Sequence, residues 1–302
     1  MSRLLFWSPG HGQGQTSNLQ VIALTLGLLH KKKVLMMQTC LHNNNLEVPL
    51  VGGSIDMEEN SSLFQEIGLD TAVTYSRMNK MNARALSSCC LTFPGTSLLL
   101  LPGTQAASRD TFDRDVAGEI NRLVREAEDY LDFVLIDSGS GDNPLSSQLG
   151  ESADLIIINL TQRRHVIHQF FRKYGENLLK HAKVFYLFGG YDSNSAYNIH
   201  NCRRKYSRYL NRNNSGIIPY CTKLMDAQNE GSMLPFMKKG LITGAAGAKK
   251  WTRKGRGLLV SLRYSPEETG YFFQEARSVA DKILCMLAPA LPEQREDTDE
   301  FL

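Results

Sequence analysis

The sequence predicts an α/β chain, a mostly parallel, doubly wound sheet with helices on both faces. Two observations carry this expectation. Short, continuous apolar runs alternate along the chain with stretches of helical spacing, as in sheets whose strands are buried on both sides. A glycine-dense turn, Ser8-Pro-Gly-His-Gly-Gln-Gly14, joins the first apolar run to the first helical stretch. With 302 residues, 42% of them hydrophobic, the chain can bury a sizeable core. Residues 1–290 read as one domain, and residues 291–302 as an acidic, disordered tail.

The elements follow in order. Residues 4–7 (Leu-Leu-Phe-Trp) form the first strand, and the glycine turn then yields to a helix over residues 17–30. Val34–Gln38 is the second strand and residues 97–101 (Ser-Leu-Leu-Leu-Leu) the third. A helix over residues 111–130 leads to the strand Phe133–Asp137, and Leu155–Leu160 is the next fully apolar run. Helices over 166–180 and 196–210 alternate with strands over 184–188 and 216–219. Ser265-Pro-Glu-Glu268 begins a last helix, with a capping hydroxyl, a proline in the first turn and a glutamate three residues after the cap.

Composition excludes several classes. The amino terminus, Met-Ser-Arg-Leu-Leu-Phe-Trp, lacks the apolar run of a secretory signal, and no later stretch approaches the roughly 18 apolar residues of a membrane span. A cytoplasmic chain is expected. Its six cysteines show no Cys-x-x-Cys pair or zinc-ligand spacing, so Cys89 and Cys90 read as core thiols. His165 and His168 read as polar surface on a helix.

Net charge is +3, but its distribution is uneven. Residues 162–264 hold 20 Lys and Arg against 4 Asp and Glu, whereas residues 1–161 hold 11 against 18. The pair Lys238 and Lys239 and the run from Lys249 to Arg256 concentrate this charge. Such a segment suits DNA, an anionic membrane surface or an acidic protein, and reads equally as a solvated charged face.

The glycine turn lets backbone N–H groups converge at a helix N-terminus, where they suit a phosphate. Gly10, Gly12 and Gly14 supply the backbone freedom, Gln13 and Gln15 add hydrogen-bonding amides, and Thr16 and Ser17 place hydroxyls where one could hold Mg²⁺. The Walker pattern Gly-x4-Gly-Lys-[Ser/Thr] is incomplete, because Pro9 replaces its first glycine and Gln15 its lysine. A tight glycine turn without ligand fits the same residues. Asp137, ending an apolar strand before Ser-Gly-Ser-Gly141, suits either a water-mediated Mg²⁺ site or the cap of the next turn.

These motifs together resemble the MinD/ParA group of P-loop ATPases, including its TadZ/CpaE pilus-assembly branch. The group's deviant loop, Lys-Gly-Gly-x-Gly-Lys-Thr, lies over residues 10–16 with Gly12, Gly14 and Thr16 matching, while Gly10 and Gln15 replace both lysines. Its second strand ends in Asp-x-Asp, then Asn-Leu-Asp; here Gln38 and Cys40 replace the aspartates and Asn45-Leu-Glu47 follows. Tyr130-Leu-Asp-Phe-Val-Leu-Ile-Asp137-Ser-Gly139 is similar to the switch segment, Ser152-Ala-Asp154 to the next strand's start, and Ile217-Ile-Pro219 to the adenine-side turn. Gly189 stands where the group has an adenine-contacting Asn. Asp226-Ala-Gln-Asn-Glu-Gly231 resembles the TadZ-like branch.

The resemblance implies ATP or ADP with Mg²⁺, phosphate contacts from residues 10, 12–17 and Gly139, a base contact at Pro219, and metal contacts at Thr16 and Asp137. It implies a homodimer that recruits a pilus or secretion assembly, at a polar or membrane-peripheral position. The lost lysines and aspartates imply weak or absent hydrolysis. A non-enzymatic scaffold working through its basic face and a ParA-type DNA-segregation ATPase are the alternatives.

Overall fold

The computed structural model of the protein describes residues 1–41, 46–52, 67–178, 183–243 and 266–288. The acidic tail, the cap Ser265 and the basic run from Lys249 to Arg256 lie outside the described residues.

From the amino terminus come β1 (Ser2–Trp7), α1 (Gln15–Leu28), β2 (Val34–Gln38), α2 (Val48–Val51), α3 (Leu69–Arg77), α4 (Ala83–Ser88), β3 (Leu91–Thr92) and β4 (Leu98–Leu101). Then follow α5 (Arg109–Asp115), α6 (Ile120–Ala127), β5 (Phe133–Asp137), α7 (Pro144–Glu151), β6 (Leu155–Leu160), α8 (Arg164–Leu178) and β7 (Val184–Tyr191). The chain continues through α9 (Ile199–Lys205), β8 (Ser215–Pro219), α10 (Thr222–Asn229), α11 (Met233–Lys238) and α12 (Pro266–Leu287).

The eight strands form one sheet in the order β3-β4-β2-β5-β1-β6-β7-β8. All neighbours are parallel except β3, which runs antiparallel to β4 at the edge. This is the doubly wound sheet expected from the apolar runs. Alternation along each strand divides the core: Leu4 and Phe6 of β1 pack with α1, α11 and α12, whereas Leu5 packs with α3 to α7. On that second face, Ile156 and Ile158 of β6 meet Phe170 and Phe171 of α8 and Cys202 of α9. Fully burying a large apolar side chain contributes roughly 1.5–3 kcal/mol, so these two layers are what hold the sheet.

Some element boundaries differ from the sequence expectation. The helix expected over 111–130 is broken, because Val116 leaves helical geometry (φ −125°, ψ −51°) and a 3₁₀ turn at Ala117–Glu119 separates α5 from α6. Gly118 lies in that turn, where its low helix propensity favours the break. The helix expected over 196–210 is confined to Ile199–Lys205, since the Asn198 side chain caps it by accepting from Asn201 N and Tyr206 ends it (ψ 38°). Cys89 and Cys90 are buried, in keeping with the core reading.

Candidate functional site

The carboxyl ends of β1, β5 and β2 open onto a cleft of about 1010 Å³, where a doubly wound sheet places its ligand. Its floor is the loop after β1. Gly12 (φ 73°) and Gly14 (φ 74°) are left-handed, a conformation that admits glycine at little cost, and a Cβ on Gly12 would meet nothing within 4 Å. The loop is pinned to the turn after β5: Gly141 N donates to Ser8 O at 2.9 Å, and Trp7 Nε1 donates to Gly141 O at 3.0 Å. α1 begins at once, with Asn18 N donating to Gly14 O at 2.9 Å.

Gln15 replaces the lysine of the resembling motif and is 8% exposed. Its Nε2 donates to Asp137 Oδ1 and to Ser138 O, both at 2.6 Å. Thr16 Oγ1 donates to Asp137 Oδ2, also at 2.6 Å. Burial pushes the Asp137 carboxyl above the ordinary carboxylate range, and the bonds from Thr16 and Gln15 pull against that rise. Gln15 Oε1 is buried without a hydrogen-bond partner. A neutral amide thus occupies the place beside Asp137 where a cation would compensate negative charge.

A second buried carboxylate lies beside the same cleft. Glu47 accepts from Gln38 Nε2 at 2.9 Å and from Gly103 N at 2.8 Å, tying together the end of β2, the start of α2 and the segment after β4. Burial raises its pKa to about 7. Burial also raises the Cys40 thiol to about 11, so Cys40 enters the cleft wall as a neutral thiol.

The cleft walls include Gly12, Gln13, Gly14, Gln15, Thr16, Ser17, Asp137 and Gly139 from the sequence-derived set. Gly10 lies in the loop but not in the wall, and Pro219, ending β8, does not line the cleft. Toward β6 the loop and the first turn of α1 are tied to the sheet by side-chain hydrogen bonds. Gln13 Oε1 accepts from Thr161 N and Oγ1, and Asn18 Nδ2 donates to Asn159 Oδ1 at 2.9 Å. A Cβ on Gly189 would come within 2.6 Å of Asn18 Nδ2, so this position is held to glycine by a neighbouring side chain.

Arg109, Asn143 and Gln228 also line the cleft. Sequence reading gave Arg109 and Asn143 no role and placed Gln228 only within the Asp226–Gly231 stretch, because they come from the segments after β4, β5 and β8, which only the strand order brings together. Outside the cleft, His165 and His168 are exposed on α8, and no group of three or more His, Cys, Asp or Glu suited to a metal exists among the described residues. The basic segment is partly satisfied internally. Arg203 donates to Ser215 Oγ at 2.8 Å, Arg208 pairs with Glu176, and Lys173 pairs with Asp142. Lys238 ends α11, and the run from Lys249 to Arg256 lies outside the described residues.

No protein-family model and no curated protein matches the chain. Solved structures do share its fold. A ParA-family ATPase from Chlorobium tepidum is 14% identical, with TM-score 0.65 over 92% of this chain and 98% of its own. The cell division ATPase MinD from Pyrococcus furiosus is 14% identical, with TM-score 0.62 over 94% and 99%. The septum site-determining protein MinD from Pyrococcus horikoshii, complexed with Mg-ADP, is 16% identical, with TM-score 0.60 over 95% and 99%. At these identities the likeness establishes the MinD/ParA type of α/β fold. No helix of the described residues is long and apolar enough to cross a membrane.

Proposed function

We propose that this chain is an ATP- or ADP-binding positioning protein of the MinD/ParA type, with a TadZ-like role and weak or absent hydrolysis. The observation that carries the reading is the contact between Gln15 and Asp137. The loop keeps its glycine geometry and the start of α1, so backbone N–H groups from Gly12 to Ser17 remain available to phosphate oxygens. The cationic side chain that would gather charge in a phosphoryl-transfer transition state is replaced by an amide. Phosphoryl transfer depends mainly on positioning and electrostatic stabilisation, so this exchange weakens catalysis more than binding.

The backbone of Gly12 faces open space in the cleft wall, which leaves room for a phosphate over the loop. Thr16 Oγ1 and Asp137 Oδ2 are hard oxygen donors suited to Mg²⁺, with Asp137 acting directly or through water. When bound, the ion supplies compensation of phosphate charge. Gln13, Gln15 and Gly139 border the same space and complete the proposed contacts.

The partner side of the proposal is a nucleotide-controlled homodimer that recruits a pilus or secretion assembly. The MinC:MinD cell division complex of Aquifex aeolicus contains a chain of this fold at 18% identity and TM-score 0.53, which supports partner recruitment as a use of the fold. The scaffold reading has its own support. Arg163, Arg164, Arg204 and Lys205 are exposed and make no ion pair among the described residues.

Light scattering with and without Mg-ATP, run beside a phosphate-release assay, tests the proposal. A doubling of mass with no phosphate release supports a binding switch. Rapid phosphate release that disappears in Asp137→Ala would show the chain to be a competent ATPase, while unchanged mass alongside salt-sensitive DNA retardation would favour the basic face.

A further inference from the structure

We propose that Arg109 supplies, from the segment after β4, the positive charge that the loop lacks, and that it recognises the terminal phosphate of a nucleoside triphosphate. This rests on the reading of the cleft as a nucleotide site. Among the described residues the cleft walls hold one guanidinium, Arg109, and no lysine.

The strand order explains the placement. β4 stands three positions from β1, roughly 14 Å away at the usual strand spacing, with β2 and β5 between them. The cleft runs in that direction, past Gln38 to Leu41 and the start of α2. A phosphate chain starting on the loop therefore has room to extend toward Arg109. Cys40 marks the path between the two charges, since the Asp137 carboxylate raises its thiol further while Arg109 acts to lower it.

Arg109 is arranged to exchange partners. Its guanidinium lies 5.4 Å from the ring centroid of Phe112, a fully buried residue that anchors the first turn of α5. Its ion pair with Asp113, at 2.9 Å, is about half exposed on both sides. An exposed pair one helical turn apart contributes little, so not much holds the guanidinium on Asp113 when a phosphate of higher charge, able to accept a bidentate pair, reaches the cleft.

Calorimetric titration of the full chain with Mg-ATP and, separately, Mg-ADP tests this in wild type, Arg109→Gln and Asp113→Asn. Arg109 is exposed, so its replacement leaves the core intact. Arg109→Gln is expected to weaken ATP roughly tenfold to a hundredfold while ADP changes less than about twofold. Asp113→Asn, which frees the guanidinium, is expected to strengthen ATP about twofold to fivefold. If wild type binds ATP and Arg109→Gln binds it equally well, or loses ATP and ADP alike, the role of Arg109 is overturned and the nucleotide site stands. If wild type binds neither nucleotide, the nucleotide reading fails, and this inference with it.

Discussion

Gln15 and Thr16, adjacent at the start of α1, each donate at 2.6 Å to a different oxygen of Asp137, which ends β5, 122 and 121 residues further along the chain. Each oxygen of the carboxylate therefore accepts from a neutral donor. In a phosphate site with a cationic loop, one of those donors would carry charge.

Restoring the charge tests the role of the loop. Gln15→Lys places an ammonium beside Asp137, where charge-assisted bonds exceed neutral ones. Mg-ATP affinity measured by titration is expected to rise roughly tenfold. Unchanged affinity would place the phosphates elsewhere.

Removing the amide tests its structural weight. Gln15→Ala deletes both donations of Nε2, leaving Asp137 Oδ1 and Ser138 O without that partner in a buried setting. The expected loss is about 1–3 kcal/mol in urea unfolding. A variant as stable as wild type would show that water replaces the amide at no cost.

Gly189→Ala is expected to destabilise the fold by about 1–3 kcal/mol, because the new methyl group meets Asn18 Nδ2 at 2.6 Å. Asn18 cannot easily yield, since it donates to Asn159, which itself donates to Trp7 O and Ile157 O. The double variant Asn18→Ala/Gly189→Ala should cost less than the sum of the single changes, a coupling that a double-mutant cycle reads directly.

Glu47 gives the fold a pH dependence. Its pKa of about 7 in the folded chain lies above the ordinary 4.5, so the folded state holds a proton that the unfolded state has released. The contribution is fully present below 4.5 and is lost as pH rises through 7, amounting to about 3 kcal/mol. Wild type should therefore lose more stability than Glu47→Gln between pH 5 and pH 8 in urea titrations. Parallel curves for the two proteins would remove this account of Glu47.

The strands were legible because burial on both faces leaves an unbroken apolar signature, as in Phe133–Asp137 and Leu155–Leu160, whose bounds agree with the sequence reading. β3 was not legible, since two residues carry no period. The expected helix over 111–130 has apolar residues at helical spacing, yet its backbone breaks at Val116, a tertiary choice that periodicity does not report. Within the cleft, the glycine loop and Asp137 were legible as motifs. The Gln38–Glu47–Gly103 contact and the position of Arg109 were not, because both depend on β4 lying beside β2.

Titration of the full chain with Mg-ATP, beside Gly14→Val, shows whether the loop after β1 holds a phosphate chain. A β-branched residue at the left-handed position of Gly14 distorts the loop that presents the amides. Wild type is expected to bind saturably, and Gly14→Val at least tenfold more weakly. No binding by wild type at millimolar nucleotide would contradict the proposed nucleotide site and leave the lysine-less loop as a structural turn.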